Sequence, residues 1–268
     1  MKVKRIIVSQ PAPAEAERSP YRELAEKYQL SIEYRPFIRI EGVTAKEFRL
    51  YKIDLLSHGA VFLTSKTAVD HFFRICDEMR IAVPDSMKYF CTSESIANYL
   101  QKYIIYRKRK IFYGKKIDEL FEIMNKHRTE QILLPLSDPH KPEIPKLLEK
   151  KKYNYTKIIL YRTVSSDLSD LQIKDSDILA FYSPTEIKSL FQNFPDFVQG
   201  DTKIACFGPT TIKAAKTAKL RIDIQAPRSQ MPSLTMAIEH HLKDLAKKAA
   251  SAQSQAVSSQ ASVASSES

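Results

Sequence analysis

The stretch from Gly59 to Phe73, GAVFLTSKTAVDHFF, aligns without a gap on Asp177 to Phe191, DILAFYSPTEIKSLF. Each is an apolar run, then a hydroxyl pair (Thr64-Ser65, Tyr182-Ser183), then an amphipathic stretch ending in an aromatic. A short apolar run bounded by a polar turn reads as a buried strand, and the stretch after it has helical spacing. A second echo follows each copy, since Tyr89 to Ile96 (YFCTSESI) matches Ala205 to Ile212 (ACFGPTTI). A repeated strand–turn–helix unit restricts the chain to two related α/β halves. In each, hydroxyl-rich turns sit at helix N-termini, where the first backbone N–H groups are free to bind anions.

The remaining segments fit this pattern. Val3 to Val8 reads as a first buried strand, and Ser19-Pro20 opens a helix running to about Gln29, with Pro at its first position. Ser31 to Ile40 alternates and is β-rich, giving one long extended strand, and Lys157 to Val164 gives a second. Thr44 to Leu55 reads as a helix, Gln131 to Pro135 as a buried strand, Glu143 to Lys151 as a helix, and Arg221 to Ile224 as a short strand. Strands alternating with helices at this spacing imply parallel sheets. The last helix is expected from Ser233 to about Ala249. Residues 251–268 are Ser, Ala and Gln with few large apolar side chains, and are expected to be disordered.

At 268 residues the chain is long enough for two cores of ordinary size, and 43% hydrophobic with 27% charged residues is a globular balance. The start is basic but its apolar run is too short for a secretory core, and no apolar stretch has the length of a membrane span. The three cysteines, Cys76, Cys91 and Cys206, lie far apart in apolar surroundings, which argues against disulfide or zinc frameworks and for buried thiols in the cytoplasm. The net charge of +11 favours an acidic partner. Its densest run, Arg107 to Lys110 with Lys115 and Lys116, flanks short apolar residues and is read as decorating an edge strand; a nucleic-acid patch is the minority reading. The six histidines show no metal-ligand spacing, His240 and His241 being adjacent on a helix, and His71 is read as a packing or surface residue. No metal and no cofactor are expected.

In order and spacing, Val61 to Val69, Ile132 to Pro135, Ile158 to Thr163, Phe181 to Pro184 and Ile204 to Thr211 resemble the uroporphyrinogen-III synthase family, over nearly everything before the tail. The Gly208-Pro-Thr-Thr211 turn is the most specific match. The chain departs from the family pattern at Thr92 to Ser95, where a glycine turn is usual, at Leu136 to Asp138, and at Gln10-Pro11. The resemblance implies two similar parallel-sheet, flavodoxin-like α/β domains joined by a two-stranded β-ladder hinge, so that a cleft opens and closes. Domain 1 would be 1–31 with 165–250, the ladder 32–40 and 157–164, domain 2 41–156, and 251–268 the disordered tail.

The resemblance also implies an activity. The family's substrate is hydroxymethylbilane, a linear tetrapyrrole with eight carboxylates. Loss of its hydroxyl gives an azafulvene, and attack of the other end on ring D gives a spiro intermediate that recloses with ring D inverted. The free bilane closes without inversion, so the enzyme, a lyase of haem biosynthesis, must control geometry above all. Tyr161 would be the catalytic hydrogen-bond donor to the departing hydroxyl. Thr64, Ser65, Lys66, Ser183, Gly208, Pro209, Thr210 and Thr211 would bind substrate carboxylates, the hydroxyl residues also serving as helix caps. A monomer without membrane or nucleic-acid partners is expected. The alternative is a catalytically silent two-domain module that binds a tetrapyrrole or another polyanion.

Overall fold

The structure, a computed structural model, describes residues 3–14 and 19–264. Its strands are β1 (Arg5–Val8), β2 (Ser31–Tyr34), β3 (Ile38–Gly42), β4 (Ala60–Leu63), β5 (Lys88–Cys91), β6 (Ile111–Tyr113), β7 (Ile132–Asp138), β8 (Tyr155–Ser165), β9 (Ile178–Phe181), β10 (Lys203–Phe207) and β11 (Ile222–Ala226). The helices are α1 (Pro20–Tyr28), α2 (Ala45–Leu50), α3 (Lys66–Glu78), α4 (Glu94–Tyr99), α5 (Ile117–Met124), α6 (Glu143–Lys150), α7 (Pro184–Asn193), α8 (Pro209–Thr217) and α9 (Leu234–Ala264). They form two compact units, Met1–Arg39 with Val164–Ser268, and Ile40–Thr163. The chain passes from one to the other within β3 and returns within β8.

The first unit is a five-stranded sheet in the order β11-β10-β9-β1-β2, with parallel neighbours throughout. Parallel strands need helical crossovers, which cover both faces and make the strands apolar on both sides. Accordingly every residue of β9 is buried. Ile178 and Ala180 face a cluster with Ile6, Val8, Ile238 and Leu242, while Leu179 and Phe181 face one with Ile7, Phe37 and Leu190. From β1 the chain winds first to β2 on one side and later to β9 on the other. Such a reversal opens a crevice at the carboxyl ends of the two central strands, where ligands bind in sheets of this kind.

In the second unit the order is β3-β8-β7-β4-β5-β6, with β8 through β6 parallel. Val61, Leu63, Leu133 and Leu160 pack with Phe72 and Ile75 of α3 on one face, and Phe62, Ile132 and Leu134 with Phe121 and Leu148 on the other. Here the winding reverses between β4 and β7. The repeated segments are β4-α3 beside β5-α4 and β9-α7 beside β10-α8. They sit in different windings. The strands across the reversal precede the repeat in the first unit (β1, β2) and follow it in the second (β7, β8).

Several expected elements take other bounds. The extended stretch Ser31 to Ile40 is two strands, because Pro36 offers no N–H to a ladder and Phe37 turns inward, fully buried edge-on against Phe181 at 5.5 Å. The backbone there is held by Arg35 N–H donating to Val8 O (2.9 Å) and Phe37 N–H to Ser9 O (3.0 Å). Helix α2 stops at Leu50, and Lys52 follows with φ at 52°. Ser19 occupies the N-cap position of α1, but its hydroxyl pairs with Tyr34 OH at 2.9 Å instead of capping. Helix α9 continues past Ala249 to Ala264, through the stretch expected to be disordered. That stretch has no Gly or Pro and is rich in Ala, which permits helix. Residues 265–268 lie outside the described residues. The edge expected beside the basic run is present: β6 is the outermost strand, and Arg107 and Lys110 reach the Asp85 carboxylate at 3.6 and 3.8 Å. Among the described residues no helix is long and apolar enough to cross a membrane.

Candidate active site

In the second unit, β4 ends at Leu63 and the chain turns through Thr64 and Ser65 into α3. Ser65 is extended, and its Oγ accepts from Ala68 N–H at 3.0 Å, which satisfies one of the free donors of the helix start. The same oxygen lies 3.1 Å from the hydroxyl of Tyr161. Tyr161 stands on β8 opposite Ser137 of β7 and is buried, 7% exposed. A serine oxygen that accepts from Ala68 still has its own proton to give. When Ser65 donates to the Tyr161 oxygen, the phenolic O–H is left to donate elsewhere. The Tyr161 ring is stacked on His71 of α3, with centroids 4.9 Å apart and planes 15° apart.

Ser65, not Thr64, is the cap. Thr64 accepts through its backbone oxygen from Thr92 Oγ1 at 3.4 Å, which ties this turn to the start of α4. Lys66 is exposed, with Nζ 5.4 Å from the centre of the Tyr99 ring. The altered first-half turn also keeps a serine cap, since Ser93 Oγ accepts from Ile96 N–H at 3.4 Å.

In the first unit, Ser183 caps α7 through a reciprocal pair. Its Oγ accepts from Glu186 N–H at 3.3 Å, and Glu186 Oε2 accepts from Ser183 N–H at 3.1 Å. That carboxylate oxygen also accepts from Tyr182 N–H (2.6 Å) and from the Ser9 hydroxyl (2.6 Å). Glu186 is 3% exposed, and burial pushes its carboxyl above the usual range against the pull of the bonds from Ser9, Tyr182 and Ser183. The anion seat at the start of α7 is therefore filled by the chain's own carboxylate.

The start of α8 is built differently. Gly208 occupies the N-cap position with φ 84° and ψ 151°, offers no capping side chain, and has open space where a Cβ would stand. Its N–H donates to Ala226 O at 2.7 Å. Pro209 has no N–H, so Thr210 and Thr211 contribute the first helical amides. The two threonines lie inside the helix and do not cap it. Thr210 is exposed, while Thr211 is fully buried with no hydrogen-bond partner for Oγ1.

Of the four repeat helices, α7 and α4 carry a glutamate in their first turn, and α3 and α8 carry no acidic residue there. Among these four, the starts of α3 and α8, one in each unit, offer a helix dipole to a carboxylate ligand with no acidic side chain in the first turn. Among the proposed site residues, Ser65 and Tyr161 touch and Lys66 flanks them in sequence. Gly208 to Thr211 form one turn, and Ser183 belongs to an occupied cap. Sequence reasoning passed over Ser9 and Glu186, although Ser183-x-x-Glu186 is a capping-box pattern. It also missed the contact of His71, which depends on tertiary packing alone. Among the described residues no group of three or more His, Cys, Asp or Glu is placed to hold a metal ion.

A family model described as uroporphyrinogen-III synthase HemD matches residues 19–236. Among solved structures, the chain is similar to uroporphyrinogen-III synthetase from Helicobacter pylori 26695, at 15% identity, covering 90% of this chain and 99% of that one with a TM-score of 0.55. It is also similar to a mutant uroporphyrinogen III synthase from the extremely thermophilic bacterium Thermus thermophilus, at 14% identity, covering 91% and 99% with a TM-score of 0.48. The first of these likenesses supports the fold. No curated protein matches the chain significantly by sequence.

Proposed function

The chain belongs to the uroporphyrinogen-III synthase family, and on that premise we propose that it cyclises hydroxymethylbilane to uroporphyrinogen III, a lyase reaction that releases water and inverts ring D. The observation that carries this reading is the Ser65–Tyr161 pair, 3.1 Å apart, beside the winding reversal of the second unit.

The first step breaks the bond between the terminal carbon and its hydroxyl. Negative charge develops on the departing oxygen, and a placed O–H donor stabilises it. Tyr161 supplies that donor while Ser65 donates to the Tyr161 oxygen, so the pair acts as a short relay anchored at the cap of α3. The substituted carbon of ring D then attacks the azafulvene's methylene carbon, and the resulting spiro centre fragments and recloses. These steps need little acid or base and depend on holding the chain ends in one geometry.

The substrate's carboxylates supply the handle. The Gly208-Pro-Thr-Thr211 turn in the first unit and the start of α3, with Lys66, in the second are each proposed to take a substrate carboxylate, since neither has an acidic residue in its first helical turn. Ser183 serves the fold, holding Glu186 in place. No cofactor is required by this chemistry. Three buried free cysteines, whose thiols burial pushes up to about 12, fit a cytoplasmic protein, and a monomer suffices for the reaction. Incubation with freshly generated hydroxymethylbilane, followed by separation of isomers I and III, tests the reading.

A further inference from the structure

His71 has no partner among the residues assigned above except the Tyr161 ring, yet its surroundings are closely specified. The imidazole lies 4.9 Å from the phenol and nearly parallel to it. Arg74, one turn along α3, donates from Nε to His71 Nδ1 at 3.0 Å. A nitrogen that accepts a hydrogen bond carries no proton, so the ring is neutral with its proton on Nε2. Burial, then the Arg74 charge, holds His71 below its usual range, against Asp70 and Glu78. Arg74 is itself fixed: Nη2 donates to Val43 O (2.8 Å) and to Leu160 O (3.3 Å), and Nη1 pairs with Glu78 at 2.5 Å. Leu160 is the residue before Tyr161, so one guanidinium joins the histidine to the backbone of the tyrosine's own strand. Gly42 makes room for it, since a Cβ there would lie 2.9 Å from the guanidinium carbon.

We propose that His71 is a positioning residue for Tyr161, its flat ring, locked by Arg74 in the space left by Gly42, fixing the phenol plane so that the hydroxyl stays on Ser65. The proposal rests on the reading of Tyr161 as the donor to the departing hydroxyl. A phenol that tilts loses the line to the leaving oxygen even though the residue remains, so the loss falls on kcat rather than on KM.

The test is a double-mutant cycle on turnover with hydroxymethylbilane, with thermal unfolding as the check on folding. His71→Ala is expected to lower kcat roughly tenfold with KM little changed, and to cost nothing further in a Tyr161→Phe background, because residues acting through one group are not additive. His71→Phe, which keeps a flat ring, is expected to restore most of the turnover. In the wild type, protonation of His71 against Arg74 is expected to lower kcat on the acid side, and His71→Phe should remove that fall. Gly42→Ala, whose added Cβ would press on the Arg74 guanidinium, should reproduce part of the His71→Ala loss and gives a second route should His71→Ala fold poorly. If Tyr161→Phe is slow and His71→Ala multiplies that loss, or does nothing in either background, the positioning role is wrong while the reading of Tyr161 stands. If Tyr161→Phe turns over like the wild type, the reading of Tyr161 fails and the role of His71 with it.

Discussion

The hydroxyl of Tyr161 and the Oγ of Ser65 lie 3.1 Å apart, joining the middle of β8 to the N-cap of α3. The cap serine thus has two tasks, ending the strand–helix turn and holding the phenol. Replacing Tyr161 by Phe keeps the ring on His71 and removes only the hydroxyl. Turnover should fall by about a hundredfold, as for loss of a placed proton donor, while unfolding free energy changes by about 1 kcal/mol or less. Steady-state kinetics beside thermal unfolding checks both.

Ser65→Ala removes the cap and the tyrosine's partner together. A loss of about 1 kcal/mol in stability is expected from the cap. Ser183→Ala should lose a similar amount of stability through its own cap. The two variants separate on activity: Ser65→Ala should slow turnover, and Ser183→Ala should leave it near the wild-type value. Equal losses in both would remove Ser65 from the mechanism.

At Gly208 the φ of 84° with ψ near 151° is a region open essentially to glycine alone. No neighbour crowds the missing Cβ, so the whole effect of Gly208→Ala is backbone strain. A cost of roughly 1–3 kcal/mol is expected, visible in denaturant unfolding. Because the turn must twist to relieve it, the KM for the polycarboxylate substrate should rise as well.

Glu186 gives a pH signature. Its folded pKa is raised by burial, so the folded state holds its proton more tightly than the unfolded chain does. Stability from this group is present below the ordinary carboxylate range and is lost as pH rises through the raised value. Glu186→Gln, which keeps an oxygen acceptor for Ser9, Tyr182 and Ser183, should flatten that part of the melting-temperature profile. A profile identical to the wild type would show that Glu186 is ionised alike in both states.

The repeat of apolar run, hydroxyl turn and amphipathic stretch made both β4-α3 and β9-α7 legible, because those features are local and periodic. The winding around them was less so. Nothing in Gly59 to Phe73 or Asp177 to Phe191 says whether the strands across the reversal come earlier or later in the chain, since sheet order is a matter of long-range packing. The alternation from Ser31 to Ile40 does not register the break at Pro36, which follows from the missing N–H of the proline and from Phe37 turning into the core. At the site, Ser65 and Tyr161 stand out as residue types, whereas their contact, the filled seat at Glu186 and the His71–Arg74 clamp arise from side chains that meet only after folding.

Inversion of ring D is what separates this activity from unassisted ring closure. Supplied with freshly formed hydroxymethylbilane, the purified protein should yield predominantly uroporphyrinogen III, faster than isomer I forms in a protein-free control. Isomer I alone, at the rate of that control, would contradict the account.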